Sequence, residues 1–218
     1  MNSRALLSFL EAKSPKFLPG SGRPTITAED VAGALGFIRD PFHRETLCIL
    51  YWPAAATIKG RDYHAEFSRR VKDAYWASVR ACIEADFDLE MGRLGHADPF
   101  TLRRLEARAQ ATKDLRWPAW SRTYMVIPDA VVTEISRPNH CTTCDGHGHF
   151  MRADKRIDCP ECHGAGTVPV SNRQRAKWLG VEQKNYLERW WRPYEWAYSL
   201  ARDAEQQAAE EMGRALAA

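Results

Sequence analysis

Between Arg61 and Gly92 the side chains Tyr63, Phe67, Val71, Tyr75, Val79, Ile83 and Phe87 recur every fourth residue, with Ala74, Ser78 and Cys82 filling the neighbouring row. A repeat so close to the 3.6-residue turn predicts one long amphipathic helix with a broad buried face. After Asp98-Pro99, Leu102, Leu105, Ala109 and Leu115 share a face of a second helix, and Arg103, Arg104 and Arg108 point away from it to solvent. Earlier, Thr27 with Asp30 three residues on has the form of a capping box and opens a helix carrying Val31, Ala34 and Leu35, closed near Gly36. Trp117-Pro118, Ile127-Pro128 and Arg137-Pro138 cut the following stretch into short pieces, because a residue before proline is pushed out of the helical region.

These breaks divide the chain. Ser14-Pro15, Pro19-Gly20 and Gly22-Arg23-Pro24 hold too many backbone breakers for regular structure, so residues 1–24 read as a flexible arm, 25–138 as a helical body and 139–218 as a separate C-terminal region. In that region Pro193 suits the first turn of a helix, with Trp196, Leu200 and Ala204 as its apolar face. The end, Asp203 to Ala218, is acidic and alanine-rich and reads as a solvated or partner-facing tail.

At 218 residues, 44% hydrophobic and 27% charged, the chain can bury a real core. The apolar run Ala5 to Leu10 lacks a cleavage site, and no stretch approaches eighteen apolar residues, so neither export nor a membrane span is expected. A net charge of only +3 means that any nucleic-acid surface must come from uneven placement of charge.

Four of the six cysteines crowd into Cys141-Thr-Thr-Cys144-Asp-Gly146-His-Gly148 and Cys159-Pro-Glu-Cys162-His-Gly164-Ala-Gly166, one C-x-x-C-x-G-x-G phrase written twice with fourteen residues between Cys144 and Cys159. Each C-x-x-C turn sets two thiolates about a zinc ion's width apart, and the glycines let the backbone fold back so that amides reach the sulfurs. Two turns supply Cys141, Cys144, Cys159 and Cys162 as a complete tetrahedral set for one zinc ion. Four protein thiolates leave no open position for water, which makes the metal structural and not catalytic. His140, His147 and His163 flank the thiols and could each replace one, and two disulfides or four free thiols would also satisfy the spacing. The polar, basic segment Phe150 to Asp158 is expected to form a ribbon stapled by the ion. Cys48 and Cys82 sit in helical apolar sequence and read as small core residues.

Directly after the second turn, Ser171 to Trp191 has helix-turn-helix grammar: Ser171 caps a first helix, Ala176 allows close contact, Gly180 makes the turn, and Leu179, Val181 and Tyr186 or Leu187 form a shared core. The second helix, about Glu182 to Trp191, would present Gln183, Lys184 and Asn185 to base edges in a major groove. Arg173, Arg175, Lys177 and Arg189 join them as DNA contacts, and Ser171 to Arg202 holds seven basic residues against three acidic ones. An ordinary helical hairpin packed on Trp190, Trp191 and Trp196 fits the same pattern. Val31 to Phe37 repeats the Ala-x-x-x-Gly rhythm, but Glu29 and Asp30 would meet phosphates with the wrong sign, so that copy reads as structural or protein-facing. The fold class is therefore mainly α: a helical body, a small zinc-stabilised ribbon held by four cysteines, and a C-terminal helix-turn-helix.

With these residues in place the chain resembles the lambda-type late-gene antitermination Q proteins of bacteriophages. The likeness rests on Ser14-Pro15-Lys16, the segment from Ile26-Thr27 through Asp30-Val31 to Gly36, the paired cysteine turns, and the run from Ser171 through Ala176 to Trp190 with the helix after Pro193; the middle, Asp40 to Pro138, lies outside it. The resemblance implies a non-enzymatic protein of the bacterial host's cytoplasm that binds double-stranded DNA at a phage late promoter. It implies further that the protein loads onto paused host RNA polymerase with its sigma factor and carries it through terminators, with no membrane involved. The paired turns are also similar to the cysteine-rich region of DnaJ-type chaperones, so a zinc-containing client-binding or thiol-exchange module is the alternative. The J-domain tripeptide His-Pro-Asp is absent from the sequence, as are His-Glu-x-x-His, a phosphate-cradling glycine loop and a nucleophile motif.

Overall fold

The computed structural model describes residues 28–51, 60–136, 139–145, 147–152 and 155–217. The expected arm over 1–24, the Thr27 cap and the boundary residue Pro138 lie outside them. The protein is mainly helical: α1 (Ala28–Gly36), α2 (Pro41–Tyr51), α3 (Gly60–Leu94), α4 (Pro99–Leu115) and α5 (Thr123–Ser136) precede a cysteine module with strands β1 (Asn139–His140), β2 (His149–Arg152), β3 (Lys155–Asp158) and β4 (Thr167–Val168). Then come α6 (Asn172–Trp178), α7 (Gln183–Asn185), one π-helical turn over Tyr186–Trp190, and α8 (Trp191–Ala215). β1 pairs antiparallel with β4, and β2 with β3.

The apolar rows make one main core. Phe42 of α2, Tyr63, Phe67, Val71, Tyr75 and Val79 of α3, Tyr124, Ile127 and Val131 of α5, Ala176 and Leu179 of α6, and Tyr186, Trp190, Tyr194, Ala197 and Ala201 near the C-terminus pack as one cluster. Residues on both sides of Pro138 therefore share a core. At its centre Tyr124 stacks on Trp120 at 4.7 Å and meets Trp190 edge-on at 4.9 Å, geometries that add stabilisation beyond area burial.

The long helix forms as its periodicity predicts, yet Ile83 and Phe87 are 62% exposed. A spacing of four residues overshoots the helical turn by about 40° each step, so a row begun at Tyr63 walks off the buried side. Beyond Val79 the inward positions are Cys82, Ala85 and Leu89, and the last two face Ala109 and Leu105 of α4. Gly92 lets the two helices approach: a Cβ there would stand 2.7 Å from Leu105 Cδ1. Leu115, expected on the buried face of α4, is also exposed. Asp98 caps α4, accepting from the amides of Phe100 and Thr101.

Pro128 departs from expectation in the other direction, for it lies inside α5 and does not end it. An interior proline costs about 3 kcal/mol or more, which the burial of Tyr124, Ile127, Pro128, Ala130 and Val131 on one side of the same helix offsets. The acidic end is likewise no solvated tail. Alanines 197, 201, 204 and 208 give α8 a flat stripe of small side chains, and its last turns close a second core, with Ala208 and Met212 against Val31, Ala34 and Leu35 of α1 and Leu47 and Cys48 of α2. Glu205 is fully buried, accepting from Tyr51 Oη and from Arg202 at 2.6 Å. Among the described residues no helix is long and apolar enough to cross a membrane.

Candidate metal centre and the adjoining basic helices

The two cysteine phrases fold alike. In each, the residue after the second cysteine turns left-handed (Asp145 at φ 49°, His163 at φ 50°), and the last glycine does too (Gly148 at φ 76°, Gly166 at φ 72°). Gly148 N–H donates to Cys144 Sγ and Gly166 N–H to Cys162 Sγ, both at 3.2 Å. The turns lock together reciprocally: Cys141 N–H donates to Gly166 O at 2.9 Å and Cys159 N–H to Gly148 O at 2.8 Å. That lock leaves no room for a side chain, since a Cβ on Gly148 would stand 2.3 Å from Gly164 O.

All four sulfurs are buried and lie within 4.8 Å of one another. Cys141 and Cys159 are 3.8 Å apart and Cys144 and Cys162 3.7 Å, well beyond the roughly 2.0 Å of a disulfide. A tetrahedral ion with sulfur bonds of about 2.3 Å sets its ligands about 3.8 Å apart, so the cage could hold one metal ion. Burial raises the first pair of thiols, but amides of Thr143 and Cys144 bring Cys141 down to about 7. Cys144 is pushed up to about 11 by burial and by the Cys162, Cys141 and Cys159 thiols, against the Gly148 amide. His147 and His163 are exposed and outside it. Cys48 and Cys82 are buried elsewhere; burial pushes Cys48 to about 11, and Cys82 Sγ–H donates to Thr112 O.

Between the turns β2 and β3 pair Phe150 with Ile157 and Met151 with Arg156. Phe150, Met151, Lys155, Arg156 and Ile157 are exposed.

The cysteine module leads through buried Val170 directly into α6. Ser171 caps it, its Oγ accepting from Gln174 N–H at 3.2 Å. Gly180, at φ 66°, ends it: Gly180 N–H donates to Lys177 O and Val181 N–H to Ala176 O, a Schellman closure. α7 follows and runs through the π turn into α8, so the expected helix from Glu182 to Trp191 continues without interruption past Pro193, which sits in the first turn of α8.

Arg173, Lys177, Gln183, Lys184 and Arg189 are exposed and Asn185 is half-buried. Arg173, Lys177 and Gln183 border one open cleft with Ser171 and Val181. Among the described residues Lys184 pairs with Glu188, at 3.9 Å. Arg175, expected among the DNA contacts, is instead turned inward at 8% exposure. Its guanidinium bonds Glu134 twice, at 2.9 and 2.6 Å, pairs with Glu195, and lies 5.1 Å over the Tyr194 ring. Burial disfavours its charge, but the Glu134 and Glu195 carboxylates outweigh this and raise its pKa further. Tyr194 Oη donates to Glu134 at 2.7 Å. Arg175 is thus an internal cation and unavailable to phosphate.

Sequence reasoning missed Glu134, Tyr194 and Glu195. The signal was present: Glu134 continues the i, i+4, i+7 row of Ile127 and Val131, where a carboxylate needs a buried partner.

Compared with protein-family models, with curated proteins and with solved structures, the chain matches none.

Proposed function

We propose that the protein is a zinc-stapled, DNA-binding transcription factor of the phage antitermination kind, which binds a duplex element at a late promoter and then accompanies host RNA polymerase through terminators. The observation that carries the DNA-binding part is the direct run from a four-sulfur cage into the capped basic helix α6, with Arg173, Lys177 and Gln183 around one open cleft and Lys184 exposed beyond the Gly180 turn. α6 and α7 act as a helix-turn-helix, phosphates drawn to Arg173, Lys177 and Arg189 and bases read by Gln183, Lys184 and Asn185. Zinc is the ion that suits four thiolates at these spacings. It closes the module and takes part in no reaction, so the reading is of a binding protein, not an enzyme. The antitermination role is supported by the sequence resemblance.

The test is titration of a labelled late-promoter duplex at several salt concentrations. Lys177→Ala should weaken binding and reduce the salt slope by about one, Lys184→Ala should weaken binding and relax discrimination between sites, and wild-type protein should lengthen transcripts past a terminator with the host polymerase. No protected duplex site and no read-through would remove the proposal. A DnaJ-like client-binding role keeps one observation in its favour, the exposed Phe150, Met151 and Ile157 on the hairpin. Suppressed aggregation of an unfolded substrate, without duplex affinity, would select it.

A further inference from the structure

The second half of α3 turns an apolar stripe to solvent. Trp76, Ile83, Phe87, Met91 and Leu94 are 46%, 62%, 62%, 51% and 72% exposed, on the side of α3 opposite the one that packs on α4. The stripe has the spacing of a coiled coil: Trp76, Arg80, Ile83, Phe87, Glu90 and Leu94 alternate steps of four and three residues, with Met91 flanking. Arg80 and Glu90 are its two charged members. Both are exposed; Glu90 is held at 2.8 Å by exposed Arg93, and no partner of Arg80 is found among the described residues.

We infer that this face of α3 pairs with the same face of a second copy of this chain, antiparallel, about a twofold axis level with Ala85. In that register Trp76 meets the partner's Leu94, Arg80 the partner's Glu90 and Ile83 the partner's Phe87, each layer occurring twice. Every apolar layer is matched by an apolar one, and the two charged positions fall opposite each other with opposite signs. A charge-paired layer inside an apolar seam fixes register, and a twofold contact must be self-complementary in this way. At roughly 200 Å² per large side chain the five exposed apolar groups offer roughly 600 Å² per copy, which puts the pair near the lower limit of standard interfaces. One edge is unfavourable: Glu84 approaches the partner's Glu84 near the axis.

Sedimentation velocity of the full chain tests this. Wild type should be dimeric at about 100 µM, well above a micromolar dissociation constant, and Phe87→Glu should be monomeric with unchanged far-UV circular dichroism, since Phe87 makes no core contact. Arg80→Glu and Glu90→Arg should each weaken self-association about tenfold. Mixed in equal amounts, the two variants should recover a dimer, because both charged layers then carry opposite signs. Glu84→Gln should tighten the wild-type dimer. A monomeric wild type, whatever else binds the stripe, overturns the inference, as does a dimer indifferent to Phe87→Glu or two charge variants that fail to pair.

Discussion

Arg175 shows how one side chain can change role between sequence and structure. In the linear chain it is one more cation in a basic run; in the fold it is the only described charge set against buried Glu134 from α6, and it ties that helix to α5 and, through Glu195, to α8. Removing one partner of a buried pair leaves the other uncompensated, at about 3–5 kcal/mol. Arg175→Met should therefore destabilise the protein by that amount in urea denaturation, whereas Arg175→Met with Glu134→Leu should recover much of the loss. A single-variant loss below about 1 kcal/mol would show that the pair is solvated. Glu66 offers a second test. A hydrogen bond from Arg69 holds its carboxylate down at about 2, against desolvation and with help from Arg70. The folded value lies below the unfolded one near 4.5, so this contribution is complete above pH 4.5 and fades as pH falls towards 2. Glu66→Gln should lower the denaturation midpoint at pH 7 and leave it nearly unchanged at the acid end.

Among the elements, those whose signals are local were legible in the sequence. The Ser171 cap, the Gly180 turn and the glycine amides on sulfur follow from chemistry within four residues of each other. What was not legible depends on distant neighbours: Pro128 stays in α5 because its flanks are buried, and Phe87 is exposed because α4 covers a different side of α3. The two kinds of glycine should behave differently. Gly148→Ala drives a Cβ into Gly164 O at 2.3 Å and should abolish stoichiometric zinc uptake, read by a thiol-competing zinc dye. Gly180 has open space around its Cβ position, so Gly180→Ala should cost only the left-handed backbone penalty of about 1–2 kcal/mol and leave zinc uptake intact.

Over the whole molecule, the helical core and the cysteine cage are separate clusters. Chelation of the proposed zinc ion should therefore expose residues 139–170 to protease while far-UV circular dichroism keeps its helical signal; a cooperative loss of helix would show that the cage supports the entire fold. The sequence marks out the cage completely but not the way α8 reaches back across the molecule, because alanines carry almost no pattern until something packs on them. That reach has a consequence for synthesis. Val31, Leu35 and Leu47 find Ala208 and Met212 as neighbours, and Arg39 N–H donates to Glu211 across 172 positions of chain. A ribosome that has delivered the first two helices must go on as far as Met212 before this second core can close. Until then the apolar side chains of that second core stay open to chaperones and proteases, and a chain broken off before Ala208 leaves them so.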